Sequence, residues 1–376
     1  MTKHFMLDYI REQPEAVANT LSACEGPVNE LRDLVARRPP KNIIFTGLGS
    51  SHTAAKLASP LLRHFLPVPT TITVATELGI DLGLELGLDT LVVLTSRSGE
   101  RGGIVDALTA ARNAGATCVA VTAVDSSLLA TGCDLVIQTA EGPEAAYAKT
   151  KSVGACTAAL MQIGLALSTD STGERQRVSA ALAEMPTLLK LGVTSAERDL
   201  EPLAGWLVKH TTALVTGTAG NQGVAEEAAL KIQEAARIVT EWDETGSALH
   251  GAVSILQSGW LFVNLMTAAD QAMSRAMLML VHEFGADRLC IAEPDLDVSD
   301  CTEAVVRVPQ APHPLVAPLL FLAPVHLLTY HLAVSKGLNP DQPLFADIML
   351  RAMLPPGREE PDWHTVEVPA EAGAEA

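Results

Sequence analysis

Short apolar runs alternate with helix-compatible stretches along this chain, and the alternation occurs twice in the same order. In the first half, Ile44-Phe45 leads through Thr46-Gly47-Leu48-Gly49-Ser50-Ser51 into HTAAKLASPLL. In the second, Leu214-Val215 leads through Thr216-Gly217-Thr218-Ala219-Gly220-Asn221 into QGVAEEAALKIQEAARI. Three further apolar runs follow in each half, at residues 91–94, 118–121 and 135–138 and at residues 261–265, 288–291 and 304–308. Each half then closes on a long apolar helix, beginning near Lys149 and near Leu315. Uninterrupted apolar strands separated by helices predict parallel sheets covered on both faces. Right-handed crossovers then give two tandem doubly wound α/β units. The chain divides accordingly into a helical lead-in (1–40, read as helices over 6–21 and 27–37), a first α/β unit (41–170), a helical connector (171–205), a second unit (206–343) and a tail (344–376) rich in proline and acid.

Composition narrows the function. The chain has 376 residues, a soft prior for two domains. Lys and Arg total 26 against 44 Asp and Glu, a net charge of −18. That balance argues against nucleic acid and anionic membrane as partners, since both are held through basic surfaces. An anionic small molecule remains open, provided a local pocket of amides, hydroxyls and a few cations receives it. The six cysteines are scattered without a CxxC pair and read as reduced thiols of a cytoplasmic protein. The N-terminal stretch lacks the apolar segment of a signal peptide. Residues 315–334 are about as long as a membrane span but carry two prolines and two histidines, and read as a buried core helix.

Two turns of the first half offer chemistry. Gly47-Leu48-Gly49-Ser50-Ser51 combines glycines with two hydroxyls at a helix start. Ser96-Arg97-Ser98-Gly99-Glu100-Arg101 adds two hydroxyls and two guanidinium groups directly after a strand. Together they suggest a phosphate cradle, with ordinary helix capping as the plainer explanation. GLGSSH lacks the last glycine of a dinucleotide fingerprint, and no P-loop is present. In the second half, Glu227, Lys231 and Glu234 share one helical face, which on its own reads as an exposed ion-paired stripe. His250 stands between a loop and the run AVSIL. No metal-ligand spacing is found: His282-Glu283 lacks HExxH completion, and His326 and His331, five apart, point to different faces.

Six motifs in order, GLGSSH, TSRSGERGG, EGPEAAYAKTKSV, EEAALKIQEAARI, ETGSALHGAVSIL and YHLAVSKGLNPDQP, resemble the SIS (sugar isomerase) family. Over roughly residues 6–343 the chain resembles tandem double-SIS proteins: the isomerase portion of glucosamine-6-phosphate synthase and related aminosugar-phosphate deaminases and deglycases. The resemblance implies flavodoxin-like units and a sugar phosphate as ligand. It implies phosphosugar aldose–ketose isomerisation or aminosugar-6-phosphate deamination by C1–C2 proton transfer, without metal or redox cofactor. Deglycation, a sulfosugar substrate and non-catalytic sensing are the alternatives. Carried over by residue, Gly49, Ser50, Ser51, Ser96, Arg97, Ser98, Arg101 and Lys151 bind the sugar phosphate. Glu234 transfers the proton, Lys231 positions the open-chain sugar, and His250 opens the ring in the neighbouring subunit of a homodimer. Three departures follow from the same comparison. Arg97 and Arg101 stand where synthase-type members have Gln and Thr. Ser247 replaces a glutamate beside the histidine. LFADIMLRAML after Asp341-Gln342-Pro343 contains no lysine for a Schiff base. With no glutaminase domain in the chain, glutamine-dependent amination is not expected.

Overall fold

A computed structural model describes residues 4–81, 84–100, 102–342, 344 and 348. Arg101, Pro343 and most of the tail lie outside the described residues. The lead-in is one helix, α1 (Phe5–Arg37), and not the two expected. Pro14 and Pro27 both sit inside it, and Met6, Ile10, Val17, Cys24, Val28 and Leu31 run along its buried side. Tertiary packing of that stripe outweighs the local helix-breaking tendency of Gly26-Pro27.

The first half follows as β1 (Asn42–Gly47), α2 (Ser50–Phe65), β2 (Thr70–Val74), β3 (Thr90–Thr95), α3 (Gly102–Asn113), β4 (Thr117–Thr122), α4 (Leu128–Gly132), β5 (Leu135–Gln138) and α5 (Lys151–Ala166). Two helices, α6 (Glu174–Leu200) and α7 (Ala204–Leu207), lead to the second half. It comprises β6 (Thr212–Gly217), α8 (Gly220–Lys231), β7 (Val239–Glu244), β8 (Trp260–Met266), α9 (Gln271–Glu283), β9 (Asp287–Ala292), β10 (Ala304–Arg307) and α10 (Pro318–Ser335). Both sheets are wholly parallel. Their orders, β2-β1-β3-β4-β5 and β7-β6-β8-β9-β10, are the same flavodoxin-like topology. The edge strands β2 and β7 were not among the expected runs. They pair in equivalent registers, Ile43↔Thr70 and Ala213↔Thr240.

The apolar runs are continuous because each strand feeds two cores. Ile43, Phe45, Leu91 and Val93 of the first sheet and Ala213, Val215, Leu261 and Val263 of the second point into one central cluster, shared with α1, α5 and α10. The alternate residues, Ile44, Val92 and Leu94 or Leu214, Phe262 and Met266, feed two separate outer clusters under α3 and α9. Helix α10 is long and apolar enough to cross a membrane, yet it is mostly buried inside this fold, next to α6 and α8.

The halves meet where α2 crosses α8. Gly223 makes the crossing close: a Cβ there would sit 2.7 Å from the Leu57 backbone nitrogen and 2.9 Å from the Lys56 carbonyl carbon. The duplication is visible in the backbone. Gly49 before α2 has φ 52°, ψ −128°, and Ala219 before α8 has φ 53°, ψ −124°, a conformation glycine adopts far more readily than alanine.

Candidate active site

In a sheet of this order the strand sequence reverses between β1 and β3, and ligands bind outside the carboxyl ends of the strands at that point. The turn after β1 brings Gly49, Ser50 and Ser51 there, and the turn after β3 brings Ser96, Arg97 and Ser98. Gly49 is exposed, as the approach of a ligand to backbone requires. Among the described residues the Ser51 and Ser98 hydroxyls have no intramolecular partner, while Ser96 Oγ accepts from the Gly99 amide at 3.2 Å. Arg97 donates to the Gly142 carbonyl at 3.2 Å and lies 3.4 Å from the buried Glu141 carboxylate. Burial raises Glu141 above its ordinary value, with Arg97 opposing the shift. Ser50 is engaged differently, its hydroxyl donating to Glu227 Oε1 at 3.1 Å across the interface between the halves.

The equivalent reversal in the second half is filled by its own acids. The Thr267 amide donates to Asp270 at 2.8 Å, the Ala268 amide to Glu293 at 2.8 Å, and Thr218 Oγ1 to Glu244 at 3.0 Å. Amides already paired with carboxylates offer an anion little, so the two copies of the turn are not chemically equivalent.

Glu227, Lys231 and Glu234 do share a helical face, but it is not a solvated stripe. Their side chains are 0%, 1% and 19% exposed. Beyond Lys231 the helix widens into a π-helical turn, Ile232–Ala236, ending at Arg237 with φ 55°. Such turns recur at functional sites because they re-aim a side chain within a helix. Here the turn carries Glu234, which contacts Lys231 Nζ. Lys231 Nζ also lies 3.6 Å from Glu227 Oε1. Thr53 of α2 donates to Glu227 Oε2 at 2.5 Å.

The electrostatics of this trio divide the labour. Burial works against charge on Glu227, yet Lys231, His326 and Thr53 hold its carboxyl below the ordinary value. Burial likewise opposes charge on Lys231, yet Glu234 and Glu227 raise it. Glu234 is raised, by burial first and by Glu227 second, against the pull of Lys231 and Lys149. The result is an ion pair, Glu227 with Lys231, next to a carboxylate of raised proton affinity, the state a general base near neutral pH requires.

Sequence reasoning passed over one cation. Lys149 precedes α5, and its ammonium donates to the carbonyls of Glu144 (2.8 Å) and Ala146 (2.6 Å). Burial brings it down to about 8; Arg97 and Lys231 push the same way, and Glu144 and Glu234 oppose them. Lys149 therefore feels the phosphate-side arginine and the Lys231–Glu234 pair together. Lys151, the expected ligand, is buried in another direction, paired with Glu12 and 4.6 Å from the Tyr9 ring centroid on α1. His250 is exposed on a short helical turn, Ser247–His250, beside exposed Leu249 and Ile255. His326 is fully buried and His331 is only partly so, consistent with their different faces. No cluster of metal-ligating side chains occurs among the described residues.

Residues 38–166 match the family model described as "SIS domain". Those residues therefore carry a SIS domain. The matched segment is the half that carries the cradle, and the second half repeats its topology. The chain is 30% identical over 356 residues to the glutamine–fructose-6-phosphate aminotransferase [isomerizing] of Leifsonia xyli subsp. xyli, covering 90% of this chain and 57% of that protein. It thus spans a little over half the length of the curated relatives it matches. In structure it is similar to the C-terminal domain of glucosamine-fructose-6-phosphate aminotransferase from Francisella tularensis, with TM-score 0.83 and 23% identity over 91% of this chain and 99% of that one. It is also similar to glucosamine-6-phosphate deaminase from Thermotoga maritima, with TM-score 0.70 and 21% identity over 91% and 98%. These two likenesses show a common fold.

Proposed function

We propose that this SIS protein is a cytoplasmic enzyme that moves a proton between C1 and C2 of a hexose 6-phosphate, either as an aldose–ketose isomerase or as an aminosugar-6-phosphate deaminase. One observation carries the reading. Lys149 of the first half interacts electrostatically with Arg97 and also with Lys231 and Glu234 of the second, which supports an anion-binding end and a proton-transferring end on either side of it. The phosphate is held by Ser51, Ser96, Ser98 and Arg97, with Arg101 beside them in sequence. Binding energy gathered there, remote from the reacting carbons, holds the open chain against Glu234. The Glu234 carboxylate takes the proton from one carbon and returns it to the other. Lys231, kept as an ammonium, stabilises the enediolate oxygen that forms between the two steps. For an aminosugar, the enolamine takes a proton at C1 to become the C2 imine; water adds, ammonia leaves, and the ketose phosphate remains. His250 opens the ring from the neighbouring subunit of a homodimer, which agrees with its exposed position beside exposed apolar residues.

The test is a paired assay on the purified protein. Glucosamine 6-phosphate, galactosamine 6-phosphate, glucose 6-phosphate and fructose 6-phosphate are incubated separately, and ammonia and aldose–ketose interconversion are read independently. Ammonia in stoichiometry with ketose phosphate identifies a deaminase. Interconversion without ammonia identifies an isomerase. Tight phosphosugar binding without either product rejects isomerisation and deamination in favour of a sensor or an amine-conjugate deglycase.

A further inference from the structure

The central helix α10 is apolar along most of its length, yet His326 sits in its middle with no exposed surface. Two polar groups from other elements flank the ring. Gln13 of α1, itself 1% exposed, brings its amide nitrogen to 3.1 Å from His326 Nδ1. Glu227 of α8 brings Oε1 to 3.7 Å from His326 Nε2. Glu227 continues to Ser50, Thr53 and Lys231, and Lys231 continues to Glu234. A chain of buried polar groups therefore runs from α1 through α10 and α8 to the candidate base. Burying such groups is costly, and among the described residues Gln13 Oε1 and His326 Nε2 make no hydrogen bond.

The arrangement selects one tautomer. With the Gln13 amide donating to Nδ1, the ring N–H is the one on Nε2, which turns towards the carboxylate. Reversing the amide would place the proton on Nδ1 and leave a bare Nε2 lone pair facing Glu227 Oε1. At 3.7 Å the contact is longer than a hydrogen bond and acts as an oriented dipole upon a buried charge.

We propose that Gln13, His326 and Glu227 form a positioning relay that fixes Lys231, and through it Glu234, in the geometry used for proton transfer. His326 helps keep Glu227 ionised, and ionised Glu227 both raises Lys231 and adds to the raised proton affinity of Glu234. The charged groups acting on Glu234 include Lys231 and Glu227 from α8 and Lys149 from the loop before α5. None of the three relay residues is asked to touch substrate. In its catalytic consequence the proposal rests on the function proposed above, whereas the tautomer and the state of Glu227 stand apart from turnover.

The test pairs His326→Leu with His326→Gln, whose amide can present an N–H where Nε2–H stood. His326→Leu is expected to lower kcat about tenfold, the effect of losing one hydrogen-bond-scale interaction with a charge, with KM for the sugar phosphate within about twofold. It also moves the acid limb of the pH–rate profile to lower pH, because a protonated Glu227 no longer opposes ionisation of Glu234. His326→Gln restores most of both. Nitrogen-15 NMR of the wild-type histidines reads the tautomer directly, and carbon-13 NMR of Glu227 reads its carboxyl in each variant. A proton on Nδ1, or a Glu227 that does not rise in His326→Leu, overturns the relay even if the protein turns over none of the sugars assayed. Equal activity in wild type and His326→Leu, or equal loss in the two variants, overturns it where turnover is present. Should His326→Leu fail to fold, Gln13→Leu is the second probe, expected to give a smaller loss in the same direction.

Discussion

Gly223→Ala tests how tightly the crossing of α2 and α8 controls the site. The new Cβ would lie 2.7 Å and 2.9 Å from backbone atoms of Leu57 and Lys56, where ordinary contact begins near 3.4 Å. Backbone cannot rotate away as a side-chain tip can, so the helices must separate by about 0.7 Å or more. Forcing a methyl into such a contact costs about 1–3 kcal/mol. Alanine returns about 1 kcal/mol through helix propensity. Gly205→Ala approximates that return: Gly205 lies inside α7, is not followed by proline, and a Cβ there meets nothing within 4 Å. Between the two variants the difference in stability is therefore about 1–3 kcal/mol, or roughly 1–4 °C in Tm for a chain of this length unfolding as one unit. The crossing is also spanned by the bonds from Ser50 and Thr53 to Glu227, and a displacement approaching 1 Å at a catalytic constellation costs on the order of 10²-fold in rate. Thermal unfolding and the isomerase and deaminase assays read the two effects separately. Matching Tm values for Gly223→Ala and Gly205→Ala, with wild-type turnover in both, would refute the reasoning.

Three further outcomes are expected. Glu234→Gln keeps phosphosugar binding by calorimetry but lowers kcat on the order of 10²–10⁴-fold; in the wild type the rate falls as pH drops through the raised Glu234 value, above the ordinary 4.5. Mixing separately inactive His250→Asn and Glu234→Gln proteins after subunit exchange restores about a quarter of wild-type activity if each site takes His250 from its partner, and none if it does not. Lys149, brought down to about 8, reacts with an acylating reagent at pH 8 ahead of Lys41, whose pairing with exposed Asp89 raises it; peptide mass spectrometry should show fructose 6-phosphate protecting Lys149 and leaving Lys41 unaffected.

The parts of this fold that could be read from sequence are those where burial writes a local pattern. The three inner runs of each half stand out because both faces of those strands are covered, so no polar alternation interrupts them, while the fourth, β5 or β10, is an edge strand legible from its apolar residues alone. The other edge strands carry a weaker signal: β2 reads TTITV, and β7 reads VTEWDE, with acids and an exposed Val239. The single helix α1 was hidden by Gly26-Pro27, whose local preference yields to packing on the core. At the site, the turns after β1 and β3 were legible because they carry glycine and hydroxyls at strand ends. The burial of the acid–base face was not legible, since spacing alone does not say what covers it. Lys149 and Lys151 are neighbours in one motif, and only the chain's path shows that one is held by the Glu144 and Ala146 carbonyls while the other pairs with Glu12. The approach of Gln13, His326 and Glu227 joins residues far apart in the chain and leaves no trace in any local window.

The central cluster has a consequence for how the molecule comes apart. Inner faces of both sheets feed it together with α1, α5 and α10, so neither half can melt without exposing apolar surface of the other. Two modules joined only by a linker would open independently, each with its own transition. Here opening is cooperative across the duplication, and calorimetry should record one endotherm in which the cradle and the Lys231–Glu234 pair vanish in the same step.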